Sequence, residues 1–161
     1  MKSTVEKTNA IRILGQKKAV FQVHSYEPDG ALSGVEVAEK LGQEPEKVYK
    51  TLVTVGKSGE HYVFVIPSAA ELDLKKAAEA AGEKNIAMLK SKDLLSLTGY
   101  VHGGCSPVGM KKQFATFLDE SAQARSSIIV SGGRIGTHVE LALSELEKAV
   151  PFQIADLTVQ E

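Results

Sequence analysis

The segment from Gly103 to Lys112 concentrates groups that could hold an anion. It reads Gly-Gly-Cys-Ser-Pro-Val-Gly-Met-Lys-Lys and so offers glycine N–H groups, the Ser106 hydroxyl and the cations of Lys111 and Lys112. Backbone N–H groups beside cations are the components of an anion-binding loop. The segment is not a P-loop, and Ser106 lacks the glycine two residues later that a nucleophile elbow requires. A plain Pro-Gly loop with solvated lysines stays as the alternative.

A second glycine-rich segment runs from Ser131 to Gly136 and resembles a dinucleotide-binding fingerprint only loosely. Residues 137–143 alternate like a strand, where the fingerprint requires a helix, so we reject that reading. Seven of the 14 glycines fall between Gly99 and Gly136. Glycines after strands permit close approach of the backbone to a ligand, and sheet corners need them as well, so both interpretations stay open.

Lys50 lies inside an apolar strand pattern, Val48-Tyr49-Lys50-Thr51-Leu52. Burying an unpaired ammonium group is costly. If the strand face that carries Lys50 points inward, the lysine must line a polar cavity or bind an anion. If it points outward, Lys50 is an ordinary edge lysine.

The histidines and the single cysteine predict no metal site. His102 and Cys105 stand three residues apart, and two ligands do not make a zinc site. We interpret Cys105 as a small buried residue rather than a nucleophile, since nothing in the sequence predicts a lowered pKa for its thiol. The residues predict neither a metal nor a cofactor.

Composition limits the remaining classes of function. The chain has 161 residues, a formal net charge of −1 and one cysteine. We expect one domain over residues 1–161, and the near-zero charge argues against a general nucleic-acid binder. One cysteine excludes an intramolecular disulfide and fits a reducing compartment. The N-terminal residues do not form a secretory signal and no stretch is apolar enough to span a bilayer, so we expect a cytoplasmic protein without membrane contact.

Caps and apolar periodicity predict five helices. Capping-box pairs occur at Ser3 with Glu6, Ser33 with Glu36, and Ser144 with Glu147. Gly15, Gly42 and Gly82 are expected to end the first three helices. The predicted helices cover approximately residues 3–14, 33–41, 73–81, 91–98 and 144–149.

Strand-like segments lie between and after these helices. The two at 48–55 and 61–66 are joined by a glycine-containing turn and form a predicted hairpin. The other predicted strands are residues 21–26, 86–89, 100–102, 114–118, 127–130, 137–143 and 152–154. Connections in the second half are too short for regular βαβ crossovers. The pattern predicts an α+β fold around a mixed, barrel-like β-sheet flanked by helices.

Read together, these segments resemble the YbaK/EbsC family of bacterial aminoacyl-tRNA deacylases over nearly the whole chain. The matching motifs are short, and their order and spacing carry the resemblance. They are His24-Ser25-Tyr26, Leu41-Gly42, Val48-Tyr49-Lys50-Thr51-Leu52, Leu72-Asp73-Leu74-Lys75-Lys76-Ala77-Ala78, Thr98-Gly99-Tyr100-Val101-His102-Gly103-Gly104, Ser106-Pro107, Gly109, Lys111-Lys112 and Ser131-Gly132-Gly133.

The resemblance implies a fold like the editing domain of bacterial prolyl-tRNA synthetases and an activity that clears mischarged Cys-tRNA(Pro). Because a synthetase pocket discriminates poorly between amino acids of similar size, a second site must destroy the errors. The implied catalytic positions are Lys50, Tyr26, Gly103, Ser131 and Gly133. The implied substrate-binding positions are Gly104, Ser106, Lys111, Lys112 and Arg134.

The resemblance also implies a mechanism. Lys50 would anchor the phosphate of the terminal adenosine or steady charge near the ester, and N–H groups at the glycine turns would stabilise the oxyanion. The thiol of the substrate cysteine would attack its own ester carbonyl. Such chemistry needs no protein nucleophile, which agrees with the absence of a triad or metal motif.

Two positions depart from the family pattern. Ile135 stands where many members have a basic residue, and Cys105 stands where relatives have an aliphatic one. Alternative functions are deacylation of another mischarged species such as Ala-tRNA(Pro), or a non-catalytic regulatory role of the EbsC type. Expected partners are the 3′ end of mischarged tRNA and prolyl-tRNA synthetase. The expected phosphate-facing cations are Lys75, Lys76, Lys111 and Lys112.

Overall fold

The computed structural model describes residues 7–27 and 33–160, and the bounds below refer to them. The helices are α1 Asn9–Gln16, α2 Gly34–Leu41, α3 Leu74–Ala81, α4 Ser91–Thr98 and α5 Leu143–Ala149. The strands are β1 Gln22–Ser25, β2 Tyr49–Gly56, β3 His61–Pro67, β4 Ile86–Met88, β5 Ala115–Asp119, β6 Ile128–Arg134, β7 Thr137–Leu141 and β8 Gln153–Ala155. Short 3₁₀ helices cover Pro45–Lys47 and Glu120–Ala124.

The strands form two sheets, which confirms the α+β fold with mixed strand directions. A three-stranded antiparallel sheet has the order β1-β7-β6. A five-stranded sheet has the order β4-β2-β3-β5-β8, in which β3 with β5 and β5 with β8 are parallel. A parallel bridge between Val48 and Ile129 links the two sheets. The predicted hairpin of β2 and β3 is confirmed.

Helix α2 follows the predicted capping pattern. The Ser33 hydroxyl accepts a hydrogen bond from the Glu36 N–H at 3.2 Å, and the Glu36 carboxylate accepts one from the Ser33 N–H at 3.0 Å. The helix ends at Gly42, whose φ of +67° is the left-handed conformation that glycine adopts most easily. Reciprocal capping fixes where α2 begins, and its first turn borders the site described below.

The ends of other helices differ from expectation. The pair Ser3 and Glu6 lies outside the described residues, while α1 is capped by Thr8. Gly15 lies inside α1 instead of ending it. The capping box predicted at Ser144 is wrong. Helix α5 begins at Leu143 with Ala142 as its N-cap, so Ser144 lies inside the helix.

The predicted strand at residues 100–102 is also wrong. Gly99 adopts a φ of +89° at the end of α4, and the Tyr100 N–H donates to the Thr98 hydroxyl at 3.0 Å. The Gly104 N–H then donates to the Val101 carbonyl at 2.9 Å. Local hydrogen bonds of this kind compete with sheet pairing, so the segment turns.

Three apolar clusters hold the layers together. The first lies between the sheets and includes residues of α1, with Leu14, Val53 and Val130 among its members. The second packs α3 on the outer face of the larger sheet around Phe64. The third packs α2 against the bridge between the sheets, through Val37. The cavity described below is lined by residues of the first and third clusters, among them Val53 and Val37, where α2 meets the start of β2.

The Glu140 carboxylate connects four parts of the chain. It is 2.8 Å from His24 Nε2 on β1 and 2.6 Å from Lys47 Nζ just before β2. It accepts a hydrogen bond from the Ser127 hydroxyl, just before β6, at 2.7 Å. Burial raises its pKa, but these partners together lower the pKa to about 2. The ionised carboxylate therefore stabilises the folded state.

We predict that Glu140→Gln lowers the free energy of unfolding by about 2 kcal/mol at pH 7, because charge-assisted hydrogen bonds are lost. The folded-state pKa of about 2 lies below the ordinary value of 4.5. The contribution is therefore complete above pH 4.5 and fades as the pH falls toward 2. Urea denaturation across this range measures it, with the exposed Glu147→Gln as the control. A deficit that is the same at all pH values would contradict the assignment.

Candidate functional site

A cavity of about 1070 Å³ lies beside the beginning of β2. Val48 bridges to β6, and the pairing of β2 with β4 starts only at Thr54. Between these contacts, residues 49–52 pair with β3 on one side, and all of them line the cavity. The cavity therefore occupies a gap in the pairing of a central strand. Its volume slightly exceeds the usual range for small-ligand pockets.

Lys50 lies at this gap, directly opposite the fully buried Ile66 in the β2–β3 register. Partial burial lowers the pKa of its ammonium group, and the negative charge of Glu71 partly offsets that effect. Of the two readings that the sequence left open, the structure gives the inward one. A half-buried cation in a cavity attracts an anion or a polarised carbonyl oxygen.

Tyr26 and His138 form another part of the lining. Their ring centroids are 5.5 Å apart with an interplanar angle of 38°. His138 is 7% exposed, and burial together with the nearby His24 lowers its pKa to about 4. Burial raises the pKa of Tyr26. Both side chains are therefore neutral near pH 7, and each can hydrogen-bond to a ligand without carrying charge.

Ser131 lines the cavity opposite His138 in the β6–β7 register, whereas Gly133 is not part of the lining. Gly133 has a φ of +104°, and a Cβ added there would lie 3.1 Å from Thr8 and Tyr100. Its N–H donates to the Ser131 hydroxyl at 3.2 Å. Gly133 thus allows close packing against the start of α1 and holds the serine in place.

The loop that follows α4 brings Gly103 into the cavity lining. A Cβ added to Gly104 would lie 3.0 Å from the backbone of Arg134, so the loop and the β6–β7 turn touch backbone to backbone. Ser106 is fully buried, and its hydroxyl accepts a hydrogen bond from the Val108 N–H at 3.2 Å. The structure does not bring Gly104, Ser106 or Arg134 into the lining.

Cys105 lines the cavity and is 8% exposed. Burial raises the pKa of its thiol to about 12. The thiol is therefore protonated at neutral pH and does not supply a thiolate nucleophile. This agrees with the interpretation of Cys105 as a small buried residue.

The four expected phosphate-facing lysines lie on two segments. Lys111 Nζ is 3.4 Å from the Ser96 carbonyl oxygen, and Lys112 Nζ is 5.9 Å from the centroid of the Phe114 ring. Both follow the loop that lines the cavity. Lys76, on α3, is 3.0 Å from an Asp156 carboxylate oxygen and donates to a backbone carbonyl at 2.8 Å. Lys76 is therefore engaged by Asp156, whereas the neighbouring Lys75 is exposed to solvent.

Sequence reasoning missed several residues of the lining. The sequence analysis assigned no role to His138, which lies two residues before Glu140 and on the same face of β7. Ser33 and Gly34, at the start of α2, also line the cavity. The capping box located this helix start, but its contact with the loop after β3 depends on tertiary packing.

Within residues 7–27 and 33–160, no group of three or more His, Cys, Asp or Glu side chains is placed to hold a metal ion. No helix in the same ranges is long and apolar enough to cross a membrane.

Comparison with known proteins gives consistent matches. A family model described as an aminoacyl-tRNA editing domain matches residues 28–149. An Enterococcus faecalis protein provisionally named Cys-tRNA(Pro)/Cys-tRNA(Cys) deacylase EbsC is 47% identical over 99% of this chain and 98% of its own length. A proline–tRNA ligase of Brachyspira hyodysenteriae is 26% identical to this chain. The match covers 86% of this chain and 24% of the ligase.

A solved structure described as a candidate trans-editing enzyme for prolyl-tRNA synthetase superposes with a TM-score of 0.82. It is 26% identical in sequence, and the match covers 94% of this chain and 93% of the other. The similarity thus extends over the fold that surrounds the cavity.

We predict that Gly34→Ala destabilises the protein by about 1–3 kcal/mol, as overpacking usually does. A Cβ at this position would lie 1.9 Å from Ser68 Cβ, so α2 would have to move away from the loop after β3. Gly15→Ala is the matched control, since an added Cβ meets nothing within 4 Å inside α1. It should stabilise by about 0.5–1 kcal/mol. Urea denaturation compares the two, and a neutral Gly34→Ala would contradict the packing argument.

Proposed function

The chain belongs to the aminoacyl-tRNA editing domain family, and from that premise we propose that it hydrolyses mischarged Cys-tRNA(Pro) in trans. The relative that matches its full length is named for Cys-tRNA(Pro) and Cys-tRNA(Cys) deacylation. An enzyme of this kind works where tRNA is charged, which keeps the expectation of a cytoplasmic protein.

The observation that carries the proposal is the position of Lys50. A lysine whose pKa is lowered by burial, in a cavity at a gap in strand pairing, is a costly arrangement for a purely structural residue. The cost is offset if the ammonium group binds a phosphate or the ester of the substrate. We assign Lys50 the role of anchoring the terminal adenosine phosphate or of stabilising charge that develops at the ester.

The glycine turns supply fewer free donors than the sequence suggested. The Gly104 N–H donates to Val101, and the Gly133 N–H donates to Ser131. The proposal therefore uses the Gly103 N–H, together with Lys50, to stabilise the oxyanion. Tyr26 and Ser131 line the cavity on other sides and are assigned to positioning the aminoacyl group.

The proposed reaction is assisted by the substrate. The cysteinyl sulfur attacks the ester carbonyl carbon, an S–C bond forms and the C–O bond to the tRNA breaks. The thiol proton ends on the 3′ oxygen of the terminal ribose, and cysteine leaves as a thiolactone that water opens. The protein supplies orientation and electrostatic stabilisation, which can provide most of the rate enhancement in such reactions.

A panel of aminoacyl-tRNAs tests this function against its alternatives. Release of cysteine from Cys-tRNA(Pro), with little release of alanine from Ala-tRNA(Pro), supports the proposal. The reverse preference favours deacylation of another mischarged species. No release from any member of the panel at micromolar protein overturns an enzymatic function and favours a non-catalytic regulatory role.

We predict that Lys50→Ala lowers deacylation of Cys-tRNA(Pro) by at least about 100-fold, as expected for loss of a transition-state contact. The folded state should be no less stable, because a partly desolvated cation is removed. Single-turnover deacylation and thermal unfolding measure the two effects. Lys57→Ala, in the exposed β2–β3 turn, is the matched control and should keep full activity. An active Lys50→Ala variant would refute the assigned role.

We propose that Lys111 and Lys112 contact tRNA phosphates, because they follow the loop that lines the cavity and Lys76 is engaged by Asp156. Replacing both with alanine should make the negative slope of log K against log salt shallower by about 1–2, since each phosphate contact contributes about 0.7–0.9 to its magnitude. Filter binding between 50 and 200 mM salt, roughly the range where such slopes are resolved, measures it. Lys76→Ala should leave the slope unchanged. If Lys76→Ala changed the slope as much as the double replacement of Lys111 and Lys112, the assignment of these two lysines to tRNA phosphates would be wrong.

With a net charge of −1, the protein offers little long-range attraction for tRNA. We therefore propose that prolyl-tRNA synthetase helps to deliver the substrate, and that deacylation accelerates when the synthetase is added.

A further inference from the structure

Three side chains in the described part of the chain carry a buried polar atom without a hydrogen-bond partner. They are Thr51 Oγ1, Arg125 Nε and His138 Nδ1. Thr51 and His138 both line the cavity. Most buried polar atoms in proteins are paired, so an unpaired atom on a residue that lines the cavity is a candidate partner for a group of a bound ligand.

The charges of the lining limit which ligand group His138 can meet. Lys50 is a cation there, and the described lining contains no Asp or Glu side chain. A ligand that carries an amino group must therefore find a neutral acceptor. Because burial and the neighbouring His24 lower the pKa of His138 to about 4, its imidazole is neutral, and a neutral imidazole has one ring nitrogen with a free lone pair.

The His138 ring is held in a defined position. Tyr26 packs against it at a centroid distance of 5.5 Å, and Ser131 and His24 lie opposite it on the two neighbouring strands. His24 is itself bound to Glu140 at 2.8 Å. An acceptor fixed by two strand pairings can distinguish ligands by one hydrogen bond.

We propose that Nδ1 of His138 accepts a hydrogen bond from the α-amino group of the aminoacyl ester. The inference rests on the proposed function and deepens it. His138 is then a specificity-determining residue that separates aminoacyl esters from acyl esters of the same length that lack the amine. The Thr51 hydroxyl is a second unpaired group among the lining residues and is not needed for this discrimination.

A cycle that removes the imidazole and the amine in turn tests the proposal. The substrates are Cys-tRNA(Pro) and 3-mercaptopropionyl-tRNA(Pro), which keeps the thiol and lacks the amine. The wild type should prefer the cysteinyl ester in kcat/KM by about 10- to 100-fold, the range for a hydrogen bond to a charged group. His138→Leu should lose this factor on the cysteinyl ester and little on the other. His138→Asn, which keeps an acceptor, should restore part of the preference.

The outcomes separate the inference from the function on which it rests. Equal losses on both esters in His138→Leu, or a wild type without preference, overturn the role of His138 and leave the deacylase function standing. A wild type that hydrolyses neither ester overturns both. Thermal unfolding checks that the variant folds, and His138→Phe, which keeps a ring beside Tyr26, replaces the leucine variant if it does not. His61→Leu, outside the cavity lining, is the control and should keep the wild-type preference.

Discussion

The carboxylate of Glu140 holds together the strands that carry the site. Through His24 it reaches β1, which leads to Tyr26, and through Lys47 it reaches the start of β2, which carries Lys50. Through Ser127 it reaches β6, which carries Ser131, while Glu140 itself lies two residues from His138. The cavity is a gap in strand pairing and cannot rely on ladder hydrogen bonds at that place. The ion pairs and the hydrogen bond of Glu140, beside the gap, connect the strands there instead.

The same gap explains the electrostatic character of the site. A strand edge without a partner leaves room for a ligand, and it leaves Lys50 half-buried beside fully buried Ile66. Filling the gap with another strand would stabilise the sheet and remove the cavity. The fold therefore keeps a local weakness where binding is proposed, which is a common relation between stability and function.

The sequence predicted the parts of the structure that short-range physics controls. The capping box of Ser33 and the hairpin of β2 and β3 follow from local hydrogen bonding and turn chemistry. The prediction of a strand at 100–102 was wrong because the Tyr100 N–H donates to the Thr98 hydroxyl instead of to a neighbouring strand. A pattern of apolar residues does not reveal this competition for the backbone N–H. The lining role of His138 depends on the register of β7 with both neighbours. Long-range pairing of this kind has no local signal, whereas family resemblance located Lys50, Tyr26, Gly103 and Ser131, which all line the cavity.

The protonation states in the cavity bear on which reaction it can support. Burial keeps the Cys105 thiol protonated, the Tyr26 phenol neutral and the His138 imidazole uncharged near pH 7. Lys50 is the only Lys, Arg, Asp or Glu among the described lining residues. Such a set can orient a substrate and stabilise an oxyanion, and neither the Cys105 thiol nor the Tyr26 phenol is ionised to act as a nucleophile. The substrate-assisted reaction that we propose, in which the thiol of a cysteinyl ester is the nucleophile, asks only for these two contributions from the protein.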